Sequence, residues 1–236
     1  EINQTKFNQG ITQIQLTPFA LPLEMLAAKL EESILKHHKD GKLLATKANP
    51  TDPDEPLELD TNQPLFVWDK WIDKNKPLGE QGADVSGACV YHDKNFDQTN
   101  HQGKTKQQIL DNQRQTRDPF AGWEVKLIEP SPNIPREGKG QTKGKRKQPE
   151  TNQTPEEYQN KFQTDPQYQR EHGETNEDWI THFLIHLEQT NQVIDDWQGK
   201  GSATYLPGSY NPASRRLGGG GWGRDNRQAY LCWNDP

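Results

Sequence analysis

Apolar side chains are sparse along the first half of the chain, and one stretch there repeats them at helical spacing. Over residues 22–39, Leu23, Leu26, Ala27, Leu30 and Ile34 recur in steps of three and four. That is the stripe of an amphipathic helix, opened by Pro22 and stopped by Gly41. His37 and His38 fall in its last turn, where a cationic side chain suits the negative end of the helix dipole, so they read as terminal residues rather than ligands. A Pro/Asp-rich loop (Asn49 to Pro56) follows. The short apolar runs Leu65–Trp68 and Gly87–Tyr91 predict strands, as does Trp123–Ile128 with its partial alternation, and 104–113 predicts a short helix. If that third strand alternates simply, Trp123, Val125 and Leu127 are buried and Glu124 and Lys126 exposed.

The second half carries clearer start signals. Thr154-Pro-Glu-Glu157 places Thr at the N-cap, Pro at the first helical position and Glu three residues on. Thr175-Asn-Glu-Asp178 repeats the device before the strongest helix, predicted over 176–196. There Trp179, Ile180, Phe183, Leu184, Leu187, Asn191 and Ile194 form a wide stripe, and Gly199 and Gly201 end it. The expectation is one α+β domain over 1–236, with two or three amphipathic helices, short twisted antiparallel strands and long polar loops. Within it, 1–60 is an N-terminal helical region, 130–150 a long basic loop and 205–236 a C-terminal recognition region.

Composition sharpens this picture. Only 29% of residues are apolar, against about 45–50% (glycine included) in an average globular protein, and the mean hydropathy is -1.14. A core this small leans on its seven Trp, seven Phe and six Tyr. A net charge of -6 argues against non-specific nucleic-acid binding. Cys89 and Cys232 allow at most one disulfide and match no zinc spacing. No apolar run approaches the roughly 20 residues of a membrane span. The default compartment is the cytoplasm, and a chain that begins at Glu1 without Met is compatible with a removed leader.

Three constellations suggest chemistry. His182 and His186 lie four apart on the 176–196 helix, a metal-ligand spacing, but Phe183 stands where a zinc protease has its glutamate, and no third ligand is compelling. Cys89, His92 and His101 are the residue types of a thiol nucleophile and its base, without a nucleophile elbow. Glu124-Val-Lys126, with Asp118 upstream, has the acid-x-Lys form of Mg²⁺-dependent nucleases, and the basic residues Arg136, Lys139, Lys143, Lys145, Arg146 and Lys147 follow it. The nuclease is the alternative function. No catalytic residue, cofactor, metal or calcium loop is otherwise expected.

The last thirty residues differ from all of this. Four successive glycines, Gly218 to Gly221, permit positive φ and close backbone approach. Tyr210, Trp222, Tyr230 and Trp233 stand around them with Arg215, Arg216, Arg224 and Arg227, a composition of recognition surfaces. A flexible glycine-rich tail is the competing reading, against which two tryptophans and a cysteine weigh.

Arg216-Leu-Gly-Gly-Gly-Gly-Trp222, followed by Asn226-Arg-Gln-Ala229, resembles the Gly-Gly-x-Trp…Arg-x-Ala run of C-type-lectin-fold variable proteins. Those are the targets of bacterial diversity-generating retroelements, and formylglycine-generating-enzyme-like domains share the run. Leu65–Asp69, Asn100–Lys106, Gly122–Ile128, Pro132–Gly140 and Thr190–Asp196 are similar to stretches of one bacterial subfamily, including cyanobacterial members.

The resemblance implies a C-type-lectin-like scaffold and a non-catalytic protein that binds an unknown protein or cell-surface ligand. In that family adenine misreading rewrites Asn codons, which yields Arg, Gly, Asp, Tyr, Cys or Ser but never Trp, Gln, Lys, Glu or Met. By that arithmetic Arg216, Gly220, Gly221, Gly223, Asp225, Asn226, Tyr230, Cys232 and Asn234 are the variable contacts. Trp222, Gln228 and Trp233 are framework, with Trp222 packed beneath the surface. The formylglycine-generating activity is not carried over, since no reactive cysteine pair is in place. The resemblance further implies a closing strand beyond Pro236, without which a sheet edge is unpaired.

Overall fold

The computed structural model describes residues 4–44, 57–73, 75, 82–92, 94–130, 140–199 and 201–235, so the Asn49–Pro56 loop, Arg136 and Lys139 lie outside the described residues. The chain is a mixed α+β fold. The elements in order are α1 (Gln4–Asn8), β1 (Gln13–Thr17), α2 (Leu23–Lys39), β2 (Leu65–Val67), α3 (Ala83–Ser86), β3 (Val90–Tyr91), α4 (Lys106–Gln115), β4 (Glu124–Ile128), β5 (Thr142–Lys143), β6 (Arg146–Lys147), α5 (Pro155–Thr164), α6 (Asn176–Thr190), β7 (Thr204–Asn211), β8 (Arg216–Gly223) and β9 (Gln228–Asn234).

Five strands form the main sheet in the order β2-β9-β8-β7-β3. β7, β8 and β9 are an antiparallel meander, and β2 joins β9 in parallel, pairing Leu65 with Ala229 and Val67 with Leu231. β9 is therefore an inner strand, and its side away from β8 is covered by β2 rather than left open. One face of the sheet packs on α2 and α6. Leu23, Leu30, Ile34, Trp71, Trp179, Ile180, Phe183, Leu206, Trp222 and Leu231 meet there, fully buried. Trp71, Trp179 and Trp222 are the largest of the buried side chains. At about 25 cal/mol per Å², burying an indole of roughly 200 Å² contributes several kcal/mol before entropy is counted. This is how a chain poor in aliphatics closes a core.

The helices start where their caps place them. Thr154 and Thr175 each accept the backbone N–H of the third helical residue, and the Glu157 and Asp178 carboxylates accept the N-cap amides in return. Thr105 and Gln108 make the same box before α4, where the sequence pattern shows it less plainly. α6 stops at Thr190, six residues short of the expected end. Asn191 takes the left-handed conformation (φ 60°) as its C-cap, before the glycines are reached. Ile194, Asp195 and Asp196 thus belong to the returning segment, where Asp196 bridges Trp222 of β8.

The expected long basic loop holds the β5–β6 hairpin, and one of its cations is not solvated. Arg146 is buried, bonded to Glu171 through Nε (2.8 Å) and Nη2 (2.6 Å) and to Glu129 through Nη1 (2.5 Å). His37 likewise faces inward rather than decorating a helix end, with Nδ1 2.8 Å from the Ser33 carbonyl.

The two-stranded ribbon of β1 and β4 reverses the expected alternation. Trp123 (48% exposed), Val125, Ile14 and Leu16 face outward, while Gln15, Thr17 and Lys126 face inward. The cause lies beneath the ribbon, where the first turn of α6 presents polar groups. Gln15 donates to the Asp178 carbonyl (2.9 Å), Thr17 to the Asp178 carboxylate (2.8 Å), and Lys126 pairs with that same carboxylate. A buried polar helix start needs polar partners, and the ribbon supplies them.

Candidate functional site

The β8–β9 hairpin is the candidate recognition surface, and its glycines explain its shape. None of Gly218 to Gly221 has positive φ; all are extended within β8, so they serve close approach and not turning. On the inner face a Cβ at Gly220 would lie 2.7 Å from Trp179 Nε1, and one at Gly218 would lie 3.0 Å from Leu206 Cβ. Glycine here lets α6 seat its indole against the strand. Trp179 Nε1 then donates to Asp195 Oδ2 at 2.9 Å.

The pairing register sorts the expected contact residues by face. Gly221 is opposite Tyr230, Gly223 opposite Gln228 and Gly219 opposite Cys232. Tyr230, Cys232 and Asn234, two apart along β9, therefore share the outer face with Gly221 and Gly223. Ala229 and Leu231 point into the core. Tyr230 lies across Gly221, whose added Cβ would be 2.6 Å from Tyr230 Cζ, and Asn234 lies across Gly219. Gly223 has more room, with nothing nearer than 3.7 Å. Asp225 and Asn226 are exposed in the tight turn closed by the Arg227 N–H to the Arg224 carbonyl.

Three of the expected roles are corrected. Gly220 is on the inner face against Trp179, so it offers no outward contact. Gly221 and Gly223 share the outer face but are buried, so Gly221 acts as a floor beneath Tyr230. Trp233, expected as framework, is 40% exposed, and the Arg216 guanidinium stacks on it 3.9 Å from the ring centroid while pairing with Asp235. Trp222 is fully buried beneath the hairpin, and its backbone N–H donates to the Asp195 carbonyl at 2.9 Å. Gln228 is half-buried. Arg224, at the end of β8, grips the buried Asp196 carboxylate through Nε (3.0 Å) and Nη2 (2.7 Å), which pins the turn to the segment after α6.

Cys232 is half-buried, and burial pushes its thiol up to about 11; Cys89 is fully buried, its thiol raised by burial and by Glu177. The two are free and unpaired with each other. Neither is an activated nucleophile. His101 accepts the Gly103 N–H (2.9 Å) and lies beside Tyr210.

The acid-x-Lys residues are brought together, but not as expected. Lys126 sits between Asp178 and Glu124 (3.1 Å), whereas Asp118 caps its own turn by accepting the Phe120 N–H (2.8 Å). Burial raises Glu124 to about 7 against the opposing pull of Lys126. Beside it, desolvation of the inward edge of each ring, with the nearby Lys126 charge, lowers His92 to about 4 and also lowers His172, while the outer edge of each ring stays exposed. His182 Nδ1 turns to Glu174 (3.4 Å) rather than pairing with His186 around an ion. Among the described residues no helix is long and apolar enough to cross a membrane. Comparison with protein-family models, with curated proteins and with solved structures finds no match.

Proposed function

We propose that the chain is a binding protein that displays a diversifiable surface on a C-type-lectin-type scaffold, as the targets of diversity-generating retroelements do. The observation that carries this reading is the sorting of residues across the β8–β9 hairpin. The residues compatible with rewritten Asn codons at 230, 232 and 234 share the outer face, and those at 225 and 226 sit in the exposed turn. Trp222, which that arithmetic forbids, is on the inner face, fully buried, although Gln228, forbidden as well, shares the outer face and Gly220, permitted, does not. Outward side chains of three chemistries above a rigid sheet are what a recognition surface needs, as loops on an immunoglobulin sandwich are.

The ligand is a protein or cell-surface molecule met by Tyr230 and Asn234 on the outer face and by Asp225 and Asn226 in the turn. The test is a pair of displayed libraries. One randomises 225, 226, 230, 232 and 234, the other 222, 229 and 231, and both are sorted for protease resistance and then for binding to a panel of unrelated proteins. The outward library should stay largely folded and yield binders, and the inward library should be mostly cleaved. Equal losses of folded clones in the two libraries would end the proposal. A second check is genomic: a near-copy of the 207–236 coding segment, differing only at adenines, beside a reverse transcriptase gene.

A further inference from the structure

A second site lies away from the hairpin, where three segments distant in sequence converge. His92 follows β3, Glu124 opens β4, and His172 precedes α6. Their ligand-type atoms all lie within 4.8 Å of one another. We propose that His92, Glu124 and His172 form a binding site for a divalent transition-metal ion of the zinc class, with a further coordination position open to solvent.

Four features of the geometry support it. The His172 Nδ1 is 3.0 Å from the Gly173 carbonyl. A carbonyl only accepts, so Nδ1 carries the proton and Nε2 presents its lone pair. That outer hydrogen bond is the usual device for orienting a ligating imidazole.

His92 is held in a left-handed backbone conformation (φ 55°), with its N–H bonded to the Gly208 carbonyl at 3.1 Å. Its Nε2 is thereby placed 3.5 Å from Glu124 Oε1. Nine other described non-glycine residues share that conformation, so its weight here is that it fixes where the ring is placed.

Glu124 uses Oε1 for Lys126 (3.1 Å), and its Oε2 is buried with no hydrogen-bond partner among the described residues. A buried, unpartnered carboxylate oxygen is costly unless something binds it.

The charge balance also permits a cation. Lys126 is neutralised by the Asp178 carboxylate, and Glu124 supplies one further acid group beside the two imidazoles.

Two imidazoles and one carboxylate are a donor set that suits zinc and its first-row neighbours better than magnesium or calcium, which prefer oxygen alone. The rim of the site is accessible, since both histidines are exposed. Three protein ligands leave room for a water or a small oxygen ligand, as three-ligand zinc sites do. No step of chemistry follows from binding alone; its first consequence is to clasp three segments that main-chain bonds join only in part.

The experiment is a zinc titration of the whole chain after chelator treatment, by calorimetry, with cobalt(II) absorption as an independent readout of coordination. The expected result is one ion per chain, a cobalt spectrum of low-coordinate nitrogen and oxygen ligands, and a thermal midpoint raised by several degrees with zinc. His92→Ala, His172→Ala and Glu124→Gln should each weaken binding at least tenfold, and His182→Ala/His186→Ala should leave it unchanged. His92 and His172 are at the surface, so their variants should keep the metal-free thermal midpoint, which separates a lost ligand from a lost fold. Absence of a saturable site, binding that survives the His92 and His172 replacements, or binding that depends on His182 and His186 would each overturn the assignment.

Discussion

Asp195 lies inside the protein with its carboxylate on Trp179 Nε1, and burial raises its acid to about 7. An unfolded aspartate titrates near pH 4. The folded pKa is therefore above the unfolded one, and the neutral acid's contribution to stability is fully present below about pH 4. It is lost as pH rises through 7, because the unfolded chain releases this proton first. Asp195→Asn keeps an acceptor for Trp179 and suits the left-handed backbone (φ 51°). Its unfolding free energy in urea should be close to that of the parent at pH 4 and higher at pH 8 by about 2–4 kcal/mol. Equal effects at the two pH values would show that the carboxylate does not titrate there. A second pair of residues separates the faces of β8. Gly220→Ala forces a methyl against Trp179 and should cost about 1–3 kcal/mol, whereas Gly223→Ala meets nothing closer than 3.7 Å and should change urea unfolding by less than about 1 kcal/mol. The glycine run in the sequence announces close approach, but only the register tells which glycine meets the helix.

Among the elements, helix starts were the most legible. The Thr154 and Thr175 boxes are local, set by residues three apart, and both appear where the pattern puts them. The Thr175 box is also buried, because Asp178 serves Thr17, Lys126 and the cap at once. Thr175→Ala should thus cost about 2 kcal/mol or more, while the exposed Thr154→Ala should cost about 1, both read from thermal unfolding. The facing of the β1–β4 ribbon was not legible. Alternation gives the parity of a strand and not which parity is inside. That choice is made by the polar first turn of α6, fifty residues further along. The end of α6 is hidden in the sequence for a similar reason. Asn191 is a good C-cap, yet the apolar spacing runs on through Ile194, which is buried for its own sake in the returning segment.

Across the whole molecule, buried ion pairs join pieces that apolar burial alone would hold loosely. Lys106, fully buried, reaches Asp84, Glu177 (2.8 Å) and the Leu21 carbonyl (2.8 Å), linking α3, α4, α6 and the segment that leads into α2. Burial opposes its charge, but the two carboxylates outweigh that and raise its pKa. Lys106→Met would leave both carboxylates buried without a cation and should cost about 3–5 kcal/mol in urea unfolding, a loss spread over the whole transition rather than one local step. None of this was readable from composition, since charged residues in so polar a chain look like solvated surface. The convergence of His92, Glu124 and His172 was equally hidden, its members lying on separate segments. β9 has one further consequence. Its place is held by main-chain bonds to β8 along its length and to β2 over Ala229 to Leu231, which every amino acid except proline can supply. A change of side chain at 230, 232 or 234 therefore leaves untouched the atoms that hold the strand in the sheet.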